Sequence, residues 1–186
     1  MEMKNNLLIS LKLTLLMIFL CSVMYPLLIS VAGKAAAGGG DGETVTVNNK
    51  VVGYANIGQK FTDDKYFWSR PSAVDYNAAG SAGSNKGPSN PDYLKIVSDR
   101  IDSFLVHNPG VTKEEIPAEM VTASGSGLDP DISLASANIQ VKRIAKARDL
   151  DESKLKKLIN RHLNKNPIGP DKINVLQLNV AMDAMK

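Results

Sequence analysis

The chain has 186 residues, with 22 Lys and Arg against 19 Asp and Glu, and it contains one cysteine. From Asp41 to the C-terminus there are 19 basic and 18 acidic residues, so this region is almost neutral. Near-neutrality argues against nucleic acid as a partner, because phosphate binding requires a clear excess of positive charge. The same region has no cysteine, which excludes disulfide crosslinks and thiol catalysis there.

The first predicted element is an uncharged run from Leu13 to Gly33, flanked by Lys12 and Lys34. As a helix it would reach roughly 32 Å at about 1.5 Å per residue, enough to cross the hydrocarbon core of a bilayer. A cleaved signal peptide is the alternative, because the small residues at 35–37 could be cut. The run is longer than the apolar core of a typical signal peptide, about 7 to 15 residues, which favours an uncleaved anchor.

The charges on either side of this run orient it. Lys4 and Lys12 precede it and acidic residues follow soon after it, so the positive-inside bias places the N-terminus in the cytoplasm. The predicted organisation is a cytoplasmic N-terminus at 1–12, a transmembrane helix at 13–33, a flexible Ala/Gly-rich tether at 34–42 and an extracytoplasmic domain at 43–186.

Two short strands are predicted at the start of this domain, at Val45–Val47 and Val51–Ile57. Asn48 and Asn49 between them tolerate the positive φ of a tight hairpin turn. The segment from Phe61 to Ala73 is predicted to be extended before Pro71, and a long loop follows it.

A helix is predicted after that loop, because Asn90 can cap it and Pro91 suits its first position. Asn108, Pro109 and Gly110 should end it. Apolar residues at helical spacing predict its buried face. They are Leu94, Val97, Ile101 and Phe104.

Two more helices are predicted after a short apolar stretch at 116–123, which suits a strand or a helical turn. The tail 173–185 suits a helix or a strand, and apolar residues at 175, 178 and 182 favour a third helix. Ser133, Asp151 and Asn174 can each cap one of them with a side-chain oxygen, and the second helix should continue until Pro167. The residues expected to face the core are Leu134, Ala137, Val141 and Ile144 in the first helix, and Leu155, Leu158, Ile159 and Leu163 in the second. The pattern indicates a mixed α/β domain, helix-rich and with a small sheet, behind one N-terminal transmembrane helix.

Two loops, Asn77–Pro91 and Ser124–Pro130, are longer and richer in glycine than a connection requires, which predicts a recognition surface. Neither loop has the spacing of a phosphate-binding Walker loop or of a nucleophile elbow. The residues expected to contact a partner are Ser84, Asn85, Gly87 and Asn90 in the first loop, and Ser124, Gly125, Ser126, Gly127 and Asp129 in the second.

Positive charge is concentrated between Lys142 and Lys165, which hold nine basic and three acidic residues. This is typical of a solvated helix face, and docking on an acidic protein surface is the alternative. His107 and His162 lie on separate predicted helices without metal-ligand spacing, so we expect them to be surface residues rather than ligands.

Several strings, in this order behind one N-terminal span, together resemble one family over essentially the whole chain. They are Trp68-Ser69-Arg70-Pro71-Ser72-Ala73; Gly83-Ser84-Asn85 with Gly87-Pro88-Ser89-Asn90-Pro91; Val121-Thr122-Ala123-Ser124-Gly125-Ser126-Gly127-Leu128-Asp129-Pro130; Gln140-Val141 with Arg143; and Asn174-Val175-Leu176 with Leu178-Asn179. The chain resembles the KdpC subunit of the bacterial potassium-importing P-type ATPase. Lys86 departs from the family pattern, where an apolar residue is common, and Asp131 departs where histidine is common.

The resemblance implies a non-catalytic subunit of a four-part pump in the bacterial inner membrane. Its partners would be a channel-like potassium subunit, an ATP-hydrolysing P-type subunit and a small single-span subunit, with no nucleic acid. The chain would carry no cofactor of its own, since the complex handles ATP and potassium. Consistent with this, the sequence has no DKTGT phosphorylation motif, and one span cannot enclose a pore.

The family is described as a catalytic chaperone that raises the ATP affinity of the hydrolytic subunit, and Gln140 matches a glutamine suggested to touch nucleotide. The predicted orientation conflicts with direct contact, because ATP is cytoplasmic and the domain should be outside. We therefore expect an indirect effect, with Gln140 a surface residue of its helix. The alternative from another class is a membrane-tethered extracytoplasmic enzyme or sensor that uses the loop Ser124–Asp129.

Overall fold

A computed structural model describes residues 2–185, apart from the side chain of Glu2. The chain divides into two units, with the boundary between Glu43 and Thr44. The first unit is helical, and the second combines helices with two small sheets. The predicted fold class, a mixed and helix-rich domain behind one apolar N-terminal helix, is confirmed.

The N-terminal unit is dominated by one apolar helix, which begins as α1 (Glu2–Phe19) and ends as α2 (Tyr25–Gly33). Its stretch Met3–Gly33 is 31 residues long and apolar enough to cross a membrane by length and composition. A short turn at Ala37–Gly40 follows it, and Gly38 and Gly39 adopt positive φ there.

A wide π-helical turn, Leu20–Met24, joins α1 to α2 just before Pro26. Proline has no N–H, and its ring clashes with the carbonyl four residues earlier in a regular α-helix. In the wide turn the N–H of Tyr25 donates to the carbonyl of Leu20, five residues back. The extra residue makes room for the ring, so the apolar helix continues through the proline.

The second unit begins with an antiparallel hairpin of β1 (Thr44–Val47) and β2 (Lys50–Tyr54). Asn48 and Asn49 have φ of 49° and 61°, which confirms the predicted turn. β2 ends three residues before the predicted Ile57, whose N–H instead closes a turn onto the carbonyl of Tyr54.

The segment 61–73 forms no strand, and a turn at 63–66 interrupts the predicted extended run, where Tyr66 N–H donates to the carbonyl of Asp63. Short 3₁₀ turns lie outside the main elements. They are Ala78–Gly80, Lys113–Glu115 and Ala118–Met120, the last of which lies in the apolar stretch 116–123.

The helix α3 (Pro91–His107) matches its predicted bounds. The side-chain oxygen of Asn90 accepts the N–H of Tyr93 at 3.1 Å, as a cap should. Phe104 is the buried residue of this helix, whereas Leu94 is 52% exposed. The inward position predicted for Leu94 is therefore wrong, because the first turns of α3 border loops instead of the core.

The helix predicted after Ser133 is two helices, α4 (Leu134–Asn138) and α5 (Val141–Arg148). A tight turn separates them, in which the N–H of Gln140 donates to the carbonyl of Ala137 at 3.2 Å. The single predicted helix is therefore wrong. The apolar spacing suggested one continuous helix because residues on both sides of the turn face the same core.

Asp151 caps α6 (Glu152–Arg161) as predicted, but the helix ends before Leu163 and well before Pro167. The chain after it is drawn back by pairing of Asn164 with Lys172. The second sheet joins β3 (Asp131–Ile132) to β4 (Ile173–Asn174), and Asn174 then caps α7 (Val175–Asp183), which confirms that predicted cap.

The core lies where α4, α5, α6 and α7 meet the second sheet and the irregular segment before α3. Its largest fully buried apolar side chains are Phe67, Ile132, Ile144, Leu155, Ile159, Ile173, Leu178, Met182, Val141 and Val175.

We expect Ile159→Ala to lower the free energy of unfolding by about 2–5 kcal/mol, because it leaves a cavity in this core. Ile168→Ala is the matched control, since Ile168 is 97% exposed and should be almost neutral. Urea denaturation of the detergent-solubilised chain measures both. Equal stability of the two variants would contradict this assignment of the core.

Candidate docking site at the loop junction

The two glycine-rich loops meet, and we call residues 81–84 and 124–127 the loop junction. The hydroxyl of Ser81 donates to the carbonyl of Ser126 at 2.9 Å. A Cβ placed on Gly83 would lie 2.9 Å from the carbonyl oxygen of Gly125, closer than side chains tolerate. The sequence predicted each loop as a recognition surface but carried no sign that the two touch.

Gly127 is the most constrained residue of the junction. Its φ is +68°, and a Cβ there would lie 2.6 Å from a methyl group of Val74 and 2.8 Å from the carbonyl oxygen of Ala82. Glycine is needed at this position both for its backbone conformation and for space.

The Trp68–Ala73 string runs along the junction and supports it. The N–H of Ser124 donates to the carbonyl of Pro71 at 3.1 Å. The hydroxyl of Tyr76 donates to the carbonyl of Arg70. Burial raises the pKa of Tyr76 to about 12, although a hydrogen bond with Ser69 opposes the shift, so the phenol stays protonated at neutral pH.

The end of the second loop is held by an ion pair and by close backbone contacts. Asp129 forms a 2.8 Å ion pair with Arg70, and its other oxygen accepts the N–H of Asp131. The N–H of Gly58 donates to the carbonyl of Leu128 at 2.7 Å, and a Cβ on Gly58 would lie 2.4 Å from the carbonyl oxygen of Asp129. These contacts give the loop a defined shape without regular secondary structure.

The nine predicted contact residues divide into two groups. Some of them shape the site: Ser124 and Gly127 are buried, Asp129 is ion-paired and Asn90 caps α3. The rest are at least partly accessible. They are Ser84, Asn85, Gly87, Gly125 and Ser126.

A cavity of about 320 Å³ opens beside the junction. The strings quoted for the resemblance supply part of its wall through Ser72, Ser84 and Ala123, and α3 supplies Tyr93, Ile96 and Arg100. Lys86 lines it too. The sequence analysis noted Lys86 only as a departure from the family pattern and did not select Arg100, because a helical arginine carries no local signal of a site.

Gln140 is fully buried, so its prediction as a surface residue is wrong. Its side-chain oxygen accepts the N–H of Trp68 at 2.8 Å and an N–H of Arg143 at 2.7 Å. Its amide group donates to the carbonyl of Ser136 at 3.0 Å. The turn between α4 and α5 directs this side chain inward, and its hydrogen bonds are made within the protein.

Arg143 completes the same cluster from below the indole of Trp68. Its guanidinium carbon lies 4.5 Å from the ring centroid, and one nitrogen donates to the carbonyls of Asp64 and Tyr66 at 2.7 and 3.1 Å. Burial lowers the pKa of Arg143 to about 10, against the attraction of nearby aspartates, so the group is charged at neutral pH.

His107 belongs to this cluster as well, since its ring centroid is 4.9 Å from that of Trp68 and its Nδ1 is 2.8 Å from Asp64. His162 lies at the end of α6, with Nδ1 3.0 Å from the carbonyl of Leu158. Both side chains are half-buried instead of lying freely on a helix surface.

The basic stretch from Lys142 to Lys165 is only partly a solvated face. Arg143 is buried, and Arg148 pairs with Asp183. The cations of this stretch that are exposed and have no ion pair with a described carboxylate are Lys142, Lys146, Lys154, Lys157, Arg161 and Lys165.

We expect Gly127→Ala to lower the free energy of unfolding by about 1–3 kcal/mol, because alanine is strained at positive φ and meets Val74 and Ala82. Gly125→Ala is the matched control in the same loop, since a Cβ there meets no atom within 4 Å. Denaturant titration compares them. A loss at Gly125 equal to that at Gly127 would show that the junction is not packed as described.

Comparisons with known proteins identify one family over nearly the whole length of the chain. The family model for KdpC, described as "K+-transporting ATPase, c chain", matches residues 7–184. A protein of Flavobacterium johnsoniae named "Potassium-transporting ATPase KdpC subunit" is 59% identical, over 98% of this chain and 100% of its own length. Proteins of the same name from Bacteroides fragilis and Caldanaerobacter subterraneus subsp. tengcongensis are 48% and 42% identical, over 98% and 93% of this chain and 98% and 92% of their own lengths.

The residues matched by the family model, 7–184, include most of the apolar helix, the whole loop junction and the buried cluster around Gln140. The chain belongs to the KdpC family of potassium-transporting ATPase subunits.

Proposed function

We propose that this chain is the non-catalytic accessory subunit that holds a potassium-importing ATPase complex together in the bacterial inner membrane. Its partners would be the channel-like potassium subunit, the ATP-hydrolysing subunit and a small single-span subunit. The observation that carries the proposal is the convergence of sequence-distant strings on one loop junction, which presents accessible Ser and Gly groups on a packed support.

The proposed topology places the N-terminus in the cytoplasm and the second unit outside. Lys4 and Lys12 on one side of the apolar helix, with Asp41 and Glu43 on the other, support this orientation. The apolar helix exposes its Leu, Ile, Val and Phe side chains along its whole length, as a helix that packs in a membrane does.

In this arrangement the outer unit covers or steadies the side on which potassium enters. Exposed groups of the loop junction would contact the partner, because small hydroxyl, amide and glycine backbone groups allow close approach and directional hydrogen bonds. The nine predicted contact residues act together, with Ser84, Asn85, Gly87, Gly125 and Ser126 touching the partner and Asn90, Ser124, Gly127 and Asp129 holding their positions.

An effect on the ATP affinity of the hydrolytic subunit would be indirect and transmitted through the assembly. The topology separates this unit from cytoplasmic ATP, and the amide of Gln140 is occupied by Trp68, Ser136 and Arg143. The complex, not this chain, would handle ATP and potassium.

The anchor can be tested by replacing residues 1–33 with a cleavable secretion signal. We expect the exported domain to be soluble and to lose its partner subunits, because docking would then lose the effective concentration that the membrane supplies. Co-purification with a tagged partner and growth at limiting external potassium measure the effect.

The control for the anchor replaces the same residues with an unrelated single span of equal length and orientation. Rescue by that span would assign the anchor a tethering role, whereas continued loss would assign it specific helix packing. If the soluble domain retained its partners and supported growth, the anchor would have no part in assembly.

Gln140→Leu separates indirect from direct action on ATP. We expect it to lower the free energy of unfolding by about 1–3 kcal/mol, because Trp68 N–H and Arg143 lose an acceptor inside the core. Gln177→Leu, at an exposed position of α7, is the matched control.

The decisive measurement is the KM for ATP of complexes purified with each variant and normalised for subunit content. Indirect action predicts an unchanged KM in complexes that have retained the folded Gln140→Leu chain. A raised KM in fully assembled complexes, with the stability of the chain unaltered, would favour direct contact with nucleotide.

A further inference from the structure

We propose that the cavity beside the loop junction binds an acidic side chain, Asp or Glu, of a partner subunit in the complex. The proposal rests on the proposed function, since it identifies what the loop junction recognises. Its basis is a pair of uncompensated cations, Lys86 and Arg100, that line one space.

The charge of the cavity wall is the first argument. The described residues that line it include two cations, Lys86 and Arg100, and no carboxylate. Neither cation forms an ion pair within the part of the chain that the structure describes, residues 2–185. Two like charges around one space disfavour each other, and an anion placed between them relieves that repulsion.

Nearby cations behave differently, which makes the cavity distinctive. Arg70 belongs to the Trp68–Ala73 string, which also supplies Ser72 to the cavity wall, and it is paired with Asp129 at 2.8 Å. Lys60 is paired with Asp75 at 2.7 Å. Lys86 and Arg100 differ from Arg70 and Lys60 in that they line one cavity without a carboxylate, so the cavity is suited to an external carboxylate.

The guanidinium of Arg100 is held in place before any ligand arrives. One of its nitrogens donates to the carbonyl of Val121 at 3.1 Å, and Arg100 is half-buried in α3. Its other N–H groups have no acceptor among the described residues. A guanidinium that is already ordered loses little freedom on binding a carboxylate, which favours recognition.

The rest of the wall suits an acidic side chain and excludes potassium. The hydroxyls of Ser72 and Ser84 can donate to carboxylate oxygens, while Tyr93 and Ile96 offer apolar surface to the aliphatic stem. A potassium ion would face two positive charges in the same space, so the cavity is a protein-docking site and not part of the ion path.

Carbodiimide coupling on the assembled complex in native membranes tests the proposal directly. This zero-length reagent joins a lysine amine to a carboxylate in contact with it, with loss of water. We expect peptide mapping to find Lys86 joined to an Asp or Glu of a partner subunit. Lys86→Arg should abolish this crosslink while keeping the charge, and Lys95→Arg, on the exposed face of α3, should leave it unchanged.

Arg100→Gln gives an independent measure, because removing one member of a close charge pair weakens binding by at least about tenfold. We expect Arg100→Gln complexes to dissociate at lower salt than unmodified ones, and Arg100→Lys to restore part of the difference. Thermal melting of the purified chain checks that the loss of the Val121 hydrogen bond has not unfolded it.

The inference is overturned if Lys86 couples no more than Lys95 does, if it couples only within this chain, or if folded Arg100→Gln chains assemble with unchanged salt sensitivity. If the Arg100→Gln variant fails to fold, the Lys86 crosslink and its loss in Lys86→Arg still test the proposal. Failure of the unmodified chain to co-purify with partner subunits would instead overturn the proposed function.

Discussion

The fold depends on side chains that satisfy the buried backbone of the irregular segment 64–68. This segment has no neighbouring strand, yet its Phe67 is fully buried, so its N–H and C=O groups need other partners. Asn179 accepts the N–H of Phe67 at 2.9 Å and donates to its carbonyl at 3.0 Å. Gln140 accepts the N–H of Trp68, and Arg143 caps two carbonyls before it. Two helices thus replace the strand that a sheet would have provided.

Fixing this segment also positions the surface beside it. The chain leaves Trp68 and reaches Pro71 within three residues, where its carbonyl accepts the N–H of Ser124. The second glycine loop is therefore tied to the core through the first string, and the first glycine loop is tied to the second through Ser81 and Ser126. A surface made of loops keeps its shape here because each loop is hydrogen-bonded to a neighbour that is itself held in place.

Charged groups in the core are stabilised by polar partners in the same way. Buried Arg143 is supported by carbonyls, an aromatic face and nearby carboxylates, which offset the cost of its desolvation. Surface ion pairs such as that between Arg70 and Asp129 contribute little to stability, but they neutralise cations near the junction. Lys86 and Arg100 form no ion pair with a described carboxylate, and the role that we propose for their shared cavity is recognition rather than stability.

The sequence alone determined the elements that depend on residues close together along the chain. The caps Asn90, Asp151 and Asn174 act on N–H groups two or three positions away, and the uncharged run that forms the apolar helix is likewise contiguous. Only the tertiary structure decided the burial of Gln140 and the meeting of the two loops. The backbone groups that Gln140 and Asn179 bind are 72 and 112 residues away along the chain, and the loop contact spans 45. A sequence pattern over one helical turn cannot reveal such partners, because only the folding of the chain brings these distant residues together.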